Sequence, residues 1–123
     1  LSSSSAASDV YKRQYLYSSN EGFEILREVN SPNVKLLYDI YHQQITEGNL
    51  IDTITKNISS IDHFHSADVP GRHEFGTGEI NYASVLRKID ELGYDGFVGL
   101  EFMPLKNSKE ALKKVKEIIE HSR

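Results

Sequence analysis

Three short apolar runs, Val34 to Tyr38, Ile61 to Ala67 and Phe97 to Phe102, constrain this chain more than any other feature. A segment with helical period follows each of them, so strands and helices alternate in units of roughly thirty residues. Such alternation forms parallel sheets, because a parallel strand pair needs a crossover long enough to hold a helix. Right-handed crossovers then bring all three strand C-termini to one edge.

The helices carry their own punctuation. Ser19 or Asn20 can cap a helix from Glu21 to Val29, which ends at Asn30-Ser-Pro-Asn33. After the first strand, helical period resumes near Ile45, breaks at Gly48-Asn49 and returns with Leu50, Ile51, Ile54 and Ile58; Asn49 is the expected cap of that second piece. Asn81 can cap a helix with Tyr82, Val85, Leu86, Ile89 and Leu92 on its apolar face, and Gly93 suits a left-handed residue past its end. Tyr94-Asp-Gly96 reads as a turn. Asn107, with Glu110 three positions on, opens a last helix whose predicted buried stripe is Ala111, Leu112, Val115, Ile118 and Ile119.

The predicted order is therefore αβαβαβα, an α/β chain. Both faces of a parallel sheet need cover, and a (β/α)8 barrel takes about 250 residues. The 123 residues here correspond to a partial (β/α)8 TIM barrel, its C-terminal three βα units preceded by one helix. Residues 15–123 are assigned to that part of the barrel. The serine-rich opening, Leu1 to Gln14, has no period and no apolar middle, and reads as a tag or sequencing remnant or a disordered tail.

Composition narrows the function. Net charge is −4, and no dense Lys/Arg patch precedes the last helix, which disfavours a nucleic-acid partner. There is no cysteine, so thiolate metal sites and disulfides are excluded, and a cytoplasmic location is expected. No run of about 18 apolar residues exists to form a membrane helix.

The strand ends carry the chemistry. Asp39 closes the first strand, His65 lies near the end of the second, and Glu101 near the end of the third. Alternation puts Leu37 and Asp39 on one face, with His63, His65 and Ala67, and with Phe97, Gly99 and Glu101. An Asp, a His and a Glu meeting at one rim suit a divalent cation such as Mg²⁺, Mn²⁺ or Co²⁺, with other ligands supplied from elsewhere. Each residue also has a plainer reading: Asp39 as a helix cap, His42 as a first-turn residue, His63 as an interior hydrogen-bonding group. Glu101 is hardest to explain as filler, since an inward carboxylate among Phe97, Gly99 and Phe102 needs a partner. The long loop after the second strand brings Arg72 and His73 beside this rim, and its Gly76-Thr-Gly78 reads as a turn rather than a phosphate cradle.

Three stretches together resemble hydroxypyruvate isomerases of the xylose isomerase-like barrel clan. They are Leu37-Tyr-Asp-Ile-Tyr-His42, HFHSADVPGRHEFGTGEINY from His63 to Tyr82, and Gly93-Tyr-Asp-Gly-Phe-Val-Gly-Leu-Glu101. The resemblance implies interconversion of hydroxypyruvate and 2-hydroxy-3-oxopropanoate, with glutamates moving a proton through an enediol. It implies Asp39, His65 and Glu101 as metal ligands, Glu101 also as catalytic acid/base, and His42 and Arg72 as substrate contacts. It implies a small hydroxy-oxo acid as partner, Mg²⁺ or Mn²⁺ as cofactor, and a homo-oligomer for the full-length enzyme. The family's first glutamate would fall in the serine-rich opening, where no residue matches, so the isolated chain is expected to be inactive. A metal-dependent ketose epimerase or sugar isomerase, and a non-catalytic fragment, stand as alternatives. An abasic-site endonuclease, with its multi-zinc cluster and basic groove, fits five histidines and a net charge of −4 poorly.

Overall fold

The computed structural model describes residues 15–122. Three parallel strands form one sheet in the order β1 (Leu36–Asp39), β2 (Ile61–Ser66), β3 (Phe97–Leu100). Helix α1 (Ser19–Val29) precedes the first strand. Helices α2 (Ile40–Thr46) and α3 (Leu50–Asn57) and a 3-10 turn (Ile58–Ser60) make the first crossover. Helix α4 (Tyr82–Glu91) makes the second, and α5 (Ser108–Ser122) follows β3. The predicted order stands, with the second helical segment split at Gly48-Asn49.

Alternation decides which face is covered. Tyr38, Phe64 and Val98 are paired across the sheet and point under the helices, and Tyr38 and Phe64 are buried. Around them pack Ile54, Val85, Ile89 and Val115, one apolar stripe from each of α3, α4 and α5. Their fellows on the other face, Leu37 and Phe97, are 47% and 79% exposed. In a closed barrel that face is the interior, so large apolar side chains there are expected. Asp62 is an extra residue between the Leu36–Ile61 and Leu37–His63 pairs, a bulge that keeps Leu36 against the core side.

Several local expectations change. Ser19 and Asn20 lie inside α1 rather than capping it; the Glu47 carboxylate accepts both the Ser19 N–H and its hydroxyl. Asn49 occupies the N-cap position of α3 in a left-handed conformation, but its side chain caps no backbone group and donates to Asp52 instead. The first strand starts two residues later than the apolar run does. Leu112 is half exposed, so the α5 stripe is narrower than its sequence period implied. Asn81 and Asn107 do cap α4 and α5, accepting the Ser84 and Glu110 N–H groups, and Gly93 is left-handed. No described helix is long and apolar enough to cross a membrane.

Candidate active site

The strand register aligns Asp39, His65 and Gly99 in one row, with Glu101 just past the end of β3. Because all three strands run the same way, this row lies at their common C-terminal edge. One donor atom from each of Asp39, His65 and Glu101 lies within 4.8 Å of the other two. His65 Nδ1 is 3.4 Å from Glu101 Oε2 and 3.9 Å from Asp39 Oδ2.

Asp39 does two jobs. Its Oδ1 accepts the His42 N–H at 3.1 Å and so caps α2, while Oδ2 turns toward the histidines. The helix cap thus orients the second oxygen, as a backbone bond to one carboxylate oxygen must. His42 Nε2 is 3.7 Å from Asp39 Oδ2, shut off from solvent and outside hydrogen-bond distance.

Arg72 joins the rim from the loop, in a left-handed conformation with φ 60°. Its terminal nitrogen donates to Glu101 Oε2 at 2.5 Å, and its Nε donates to the Glu101 carbonyl at 3.2 Å. The guanidinium carbon lies 5.3 Å from the centre of the Tyr41 ring, a cation–π contact. Tyr41 escaped the sequence reading; its only signal was its place in the first turn after Asp39. His73 is not one of the three clustered donors. Its ring Nδ1 bonds the Met103 carbonyl at 2.7 Å, and since a carbonyl only accepts, that nitrogen carries the proton. His63 stacks edge-on against His65, ring centres 5.1 Å apart, which supports a packing role.

The loop that carries Arg72 is organised by a residue the sequence reading also passed over. Asp68 is fully buried, and its carboxylate accepts five backbone N–H groups, from Val69, Gly76, Thr77, Gly78 and Ile80, at 2.8–3.1 Å. Gly76-Thr-Gly78 is therefore a backbone nest, as expected of a turn, but its anion is the chain's own carboxylate. A side chain at position 78 would collide with the Val69 carbonyl, so only glycine brings that N–H so close. The available signal was an acid between Ala67 and Val69 at a strand end, ahead of a glycine-rich turn whose N–H groups need acceptors.

Neighbouring groups complete the loop's base. Tyr82 stacks on Phe75 with ring centres 3.7 Å apart and donates to the Ala67 carbonyl at 2.7 Å. Burial pushes its phenol well above the ordinary value, against the lowering effect of that hydrogen bond, so it remains a donor. Burial also pushes the Glu74 carboxyl up, but the N–H groups of Leu105 and of Glu74 itself, with Lys114 and His73 nearby, bring it below the usual value.

Gly99 sets the room available to the histidines. A Cβ there would sit 3.0 Å from His63 Nε2 and 3.3 Å from His65 Cδ2. Gly99→Val is therefore expected to displace the His65 ring and cost about 1–3 kcal/mol of stability, as overpacking does. Urea unfolding and the His65 ring NMR signals check this; unchanged ring signals would contradict it.

A model of xylose isomerase-like TIM barrels matches residues 9–119. The chain belongs to that family. Among curated relatives, it is 40% identical over 93 residues to a putative hydroxypyruvate isomerase of Danio rerio, covering 75% of this chain and 34% of that protein. It is 40% identical over 90 residues to a 2-oxo-tetronate isomerase of Cupriavidus necator, covering 73% and 35%. It is 37% identical over 99 residues to the hydroxypyruvate isomerase of Escherichia coli, covering 80% and 38%. The chain thus spans a little over a third of the length of these relatives. Of solved structures, one described as a family 2 AP endonuclease from Brucella melitensis superimposes with a TM-score of 0.80 at 33% identity, over 84% of this chain and 40% of that one. A D-allulose 3-epimerase from Methylomonas sp., at 22% identity and a TM-score of 0.75 over 88% and 44%, shares the fold.

Proposed function

We propose that this chain is the C-terminal part of an isomerase that interconverts hydroxypyruvate and 2-hydroxy-3-oxopropanoate through an enediol. The observation that carries this reading is the convergence of Asp39, His65 and Glu101 within 4.8 Å, with Arg72 against Glu101. The names of the curated relatives point the same way.

Mg²⁺ or Mn²⁺ suits the donor set. Around an octahedral ion with bonds of about 2.1 Å, ligand atoms lie between about 3 and 4.2 Å apart. The His65–Glu101 and His65–Asp39 separations, 3.4 and 3.9 Å, fall in that range. When bound, the ion would polarise the substrate's carbonyl and stabilise the negative charge of the enediolate. Asp39, His65 and Glu101 would hold it.

The remaining work falls to the chain's own residues. Isomerisation moves a proton from the hydroxyl-bearing carbon to the former carbonyl carbon and a second proton from the hydroxyl oxygen to the former carbonyl oxygen, with no net redox change. Glu101 moves the proton at one of these carbons, within the hydrogen-bond distance that general base catalysis requires. Arg72 offers a planar fork to the substrate carboxylate, and the His42 ring, partly exposed beside Asp39, offers a contact to the substrate. The acid/base group for the other carbon is not found among the described residues; the position the family resemblance gives it falls in residues 1–14, outside them. Glu21 and Glu24 lie on helix α1 and not at a strand end.

The 123-residue chain is accordingly expected to show no turnover of hydroxypyruvate with added Mn²⁺ or Mg²⁺. Put in place of the matching segment of the E. coli enzyme, residues 15–123 are expected to support turnover. Robust activity of the chain alone, or a folded, Mn²⁺-binding chimera that turns over no hydroxypyruvate, would count against the proposal. The second relative's name favours one further substrate, so 2-oxo-tetronate belongs in the same assay. Cleavage of abasic DNA is disfavoured by the net charge of −4, since strand binding needs a basic footprint.

A further inference from the structure

Arg72 holds Glu101 with two different bonds, and only one of them joins two charged groups. The terminal nitrogen donates to the Glu101 carboxylate; Nε donates to the Glu101 backbone carbonyl. The loop backbone is pinned separately: the Arg72 N–H donates to the Asp68 carbonyl at 3.0 Å, and the Arg72 carbonyl accepts from Met103 at 2.8 Å. The guanidinium also lies over Tyr41. Four contacts that do not depend on the carboxylate therefore keep Arg72 at the rim. The carboxylate contact can be exchanged while the others persist.

The same Glu101 oxygen that takes the Arg72 bond is the one 3.4 Å from His65 Nδ1. A cation held by Asp39, His65 and, through this oxygen, Glu101 would then share it with the guanidinium or displace the guanidinium from it. An arriving substrate carboxylate would compete with Glu101 for the guanidinium. We propose that Arg72 is an internal stand-in for the cation, so that a divalent ion and a 2-oxo acid anion each bind more tightly in the presence of the other. The inference rests on the metal and substrate roles proposed above. In the exchange no covalent bond changes: the ion pair of Arg72 and Glu101 separates, Arg72 pairs with the substrate carboxylate, and Glu101 pairs with the ion. Coupling of this kind is reciprocal, and its ordinary size is roughly five- to a hundredfold.

The test is Mn²⁺ binding by the 123-residue chain, read from water-proton relaxation, with and without hydroxypyruvate. Three proteins are compared: the unaltered chain, Arg72→Met and Asp39→Asn. Arg72→Met keeps the apolar length of the side chain over Tyr41 and removes the charge. It is expected to bind Mn²⁺ about tenfold more tightly than the unaltered chain when no anion is present. Hydroxypyruvate is expected to tighten Mn²⁺ binding of the unaltered chain at least fivefold more than that of Arg72→Met. The chelate that hydroxypyruvate forms in solution is common to both and cancels in this ratio. Equal or weaker Mn²⁺ binding by Arg72→Met, or equal effects of the anion on both proteins, would overturn the stand-in role while leaving the metal site itself in place. If Asp39→Asn binds Mn²⁺ as the unaltered chain does, or if no protein binds it, the metal site fails and the stand-in role with it. Circular dichroism and urea midpoints of the three proteins separate these outcomes from misfolding. If Arg72→Met unfolds it is replaced by Arg72→Gln, for which the same two differences are expected, and if Asp39→Asn unfolds it is replaced by Asp39→Ser, for which the same loss of Mn²⁺ binding is expected.

Discussion

Asp68→Ala is expected to lose about 3–5 kcal/mol of folding stability, because it leaves several backbone donors without their acceptor at about 1–3 kcal/mol for each one that stays buried. Five backbone N–H groups converge on this one carboxylate. A hydrogen bond to a charged group contributes about 1.5–3 kcal/mol, and a buried donor left without a partner costs about 1–3 kcal/mol. The sum is not additive, because Gly76 and Gly78 are exposed enough to regain water, whereas Ile80 is buried. Against a total of about 5–15 kcal/mol for an ordinary domain, such a loss leaves little margin. Asp68→Asn is expected to fare only slightly better. Its amide nitrogen would present hydrogens where the nest presents N–H donors, so at least one side of the network is lost. Urea unfolding measures the loss, and amide hydrogen exchange at Gly76, Thr77, Gly78 and Ile80 locates it. A stability change below about 1 kcal/mol, typical of surface positions, would contradict the role given to Asp68.

The second large effect is catalytic. In the chimera described above, Glu101→Gln is expected to lower kcat for hydroxypyruvate by about 10²–10⁴, the range for loss of a positioned acid or base. The amide is nearly isosteric, but it can neither take the proton nor balance the Arg72 charge. Loss of a merely structural ion pair would act differently, by lowering stability and leaving the kcat of folded protein nearly unchanged. Steady-state kinetics on protein shown to be folded distinguishes the two. A kcat within threefold of the parent, smaller than any acid/base contribution of that range, would remove Glu101 from the chemistry.

Both predictions depend on parts of the chain that were unequally visible beforehand. The strand order, the parallel direction and the meeting of Asp39, His65 and Glu101 all follow from local rules: strand–helix alternation sets the direction, and the period of two sets the face. His65 shares a face with Gly99 in the register observed, as alternation along each strand required. Boundaries were less visible, because the residues that end an element depend on bonds from afar. Ser19 enters α1 because Glu47, 28 positions away, takes its N–H. Leu112 stays half exposed because the packing of α5 on α4, not helical period, decides how wide the buried stripe is.

What the sequence alone determined, then, is the set of chemical groups at the rim and the edge of the sheet they share. These depend on periods of two and of about 3.6 residues, which are properties of the backbone within each element. Tertiary structure decided how those groups are held and with what they are paired. Arg72 reaches Glu101 across 29 positions because Asp68 gathers the loop's N–H groups and the Arg72 backbone is bonded to Asp68 and Met103 beside the end of β3. A buried charge chooses its partners by proximity and desolvation in three dimensions, and nothing in the local period of a chain records that choice.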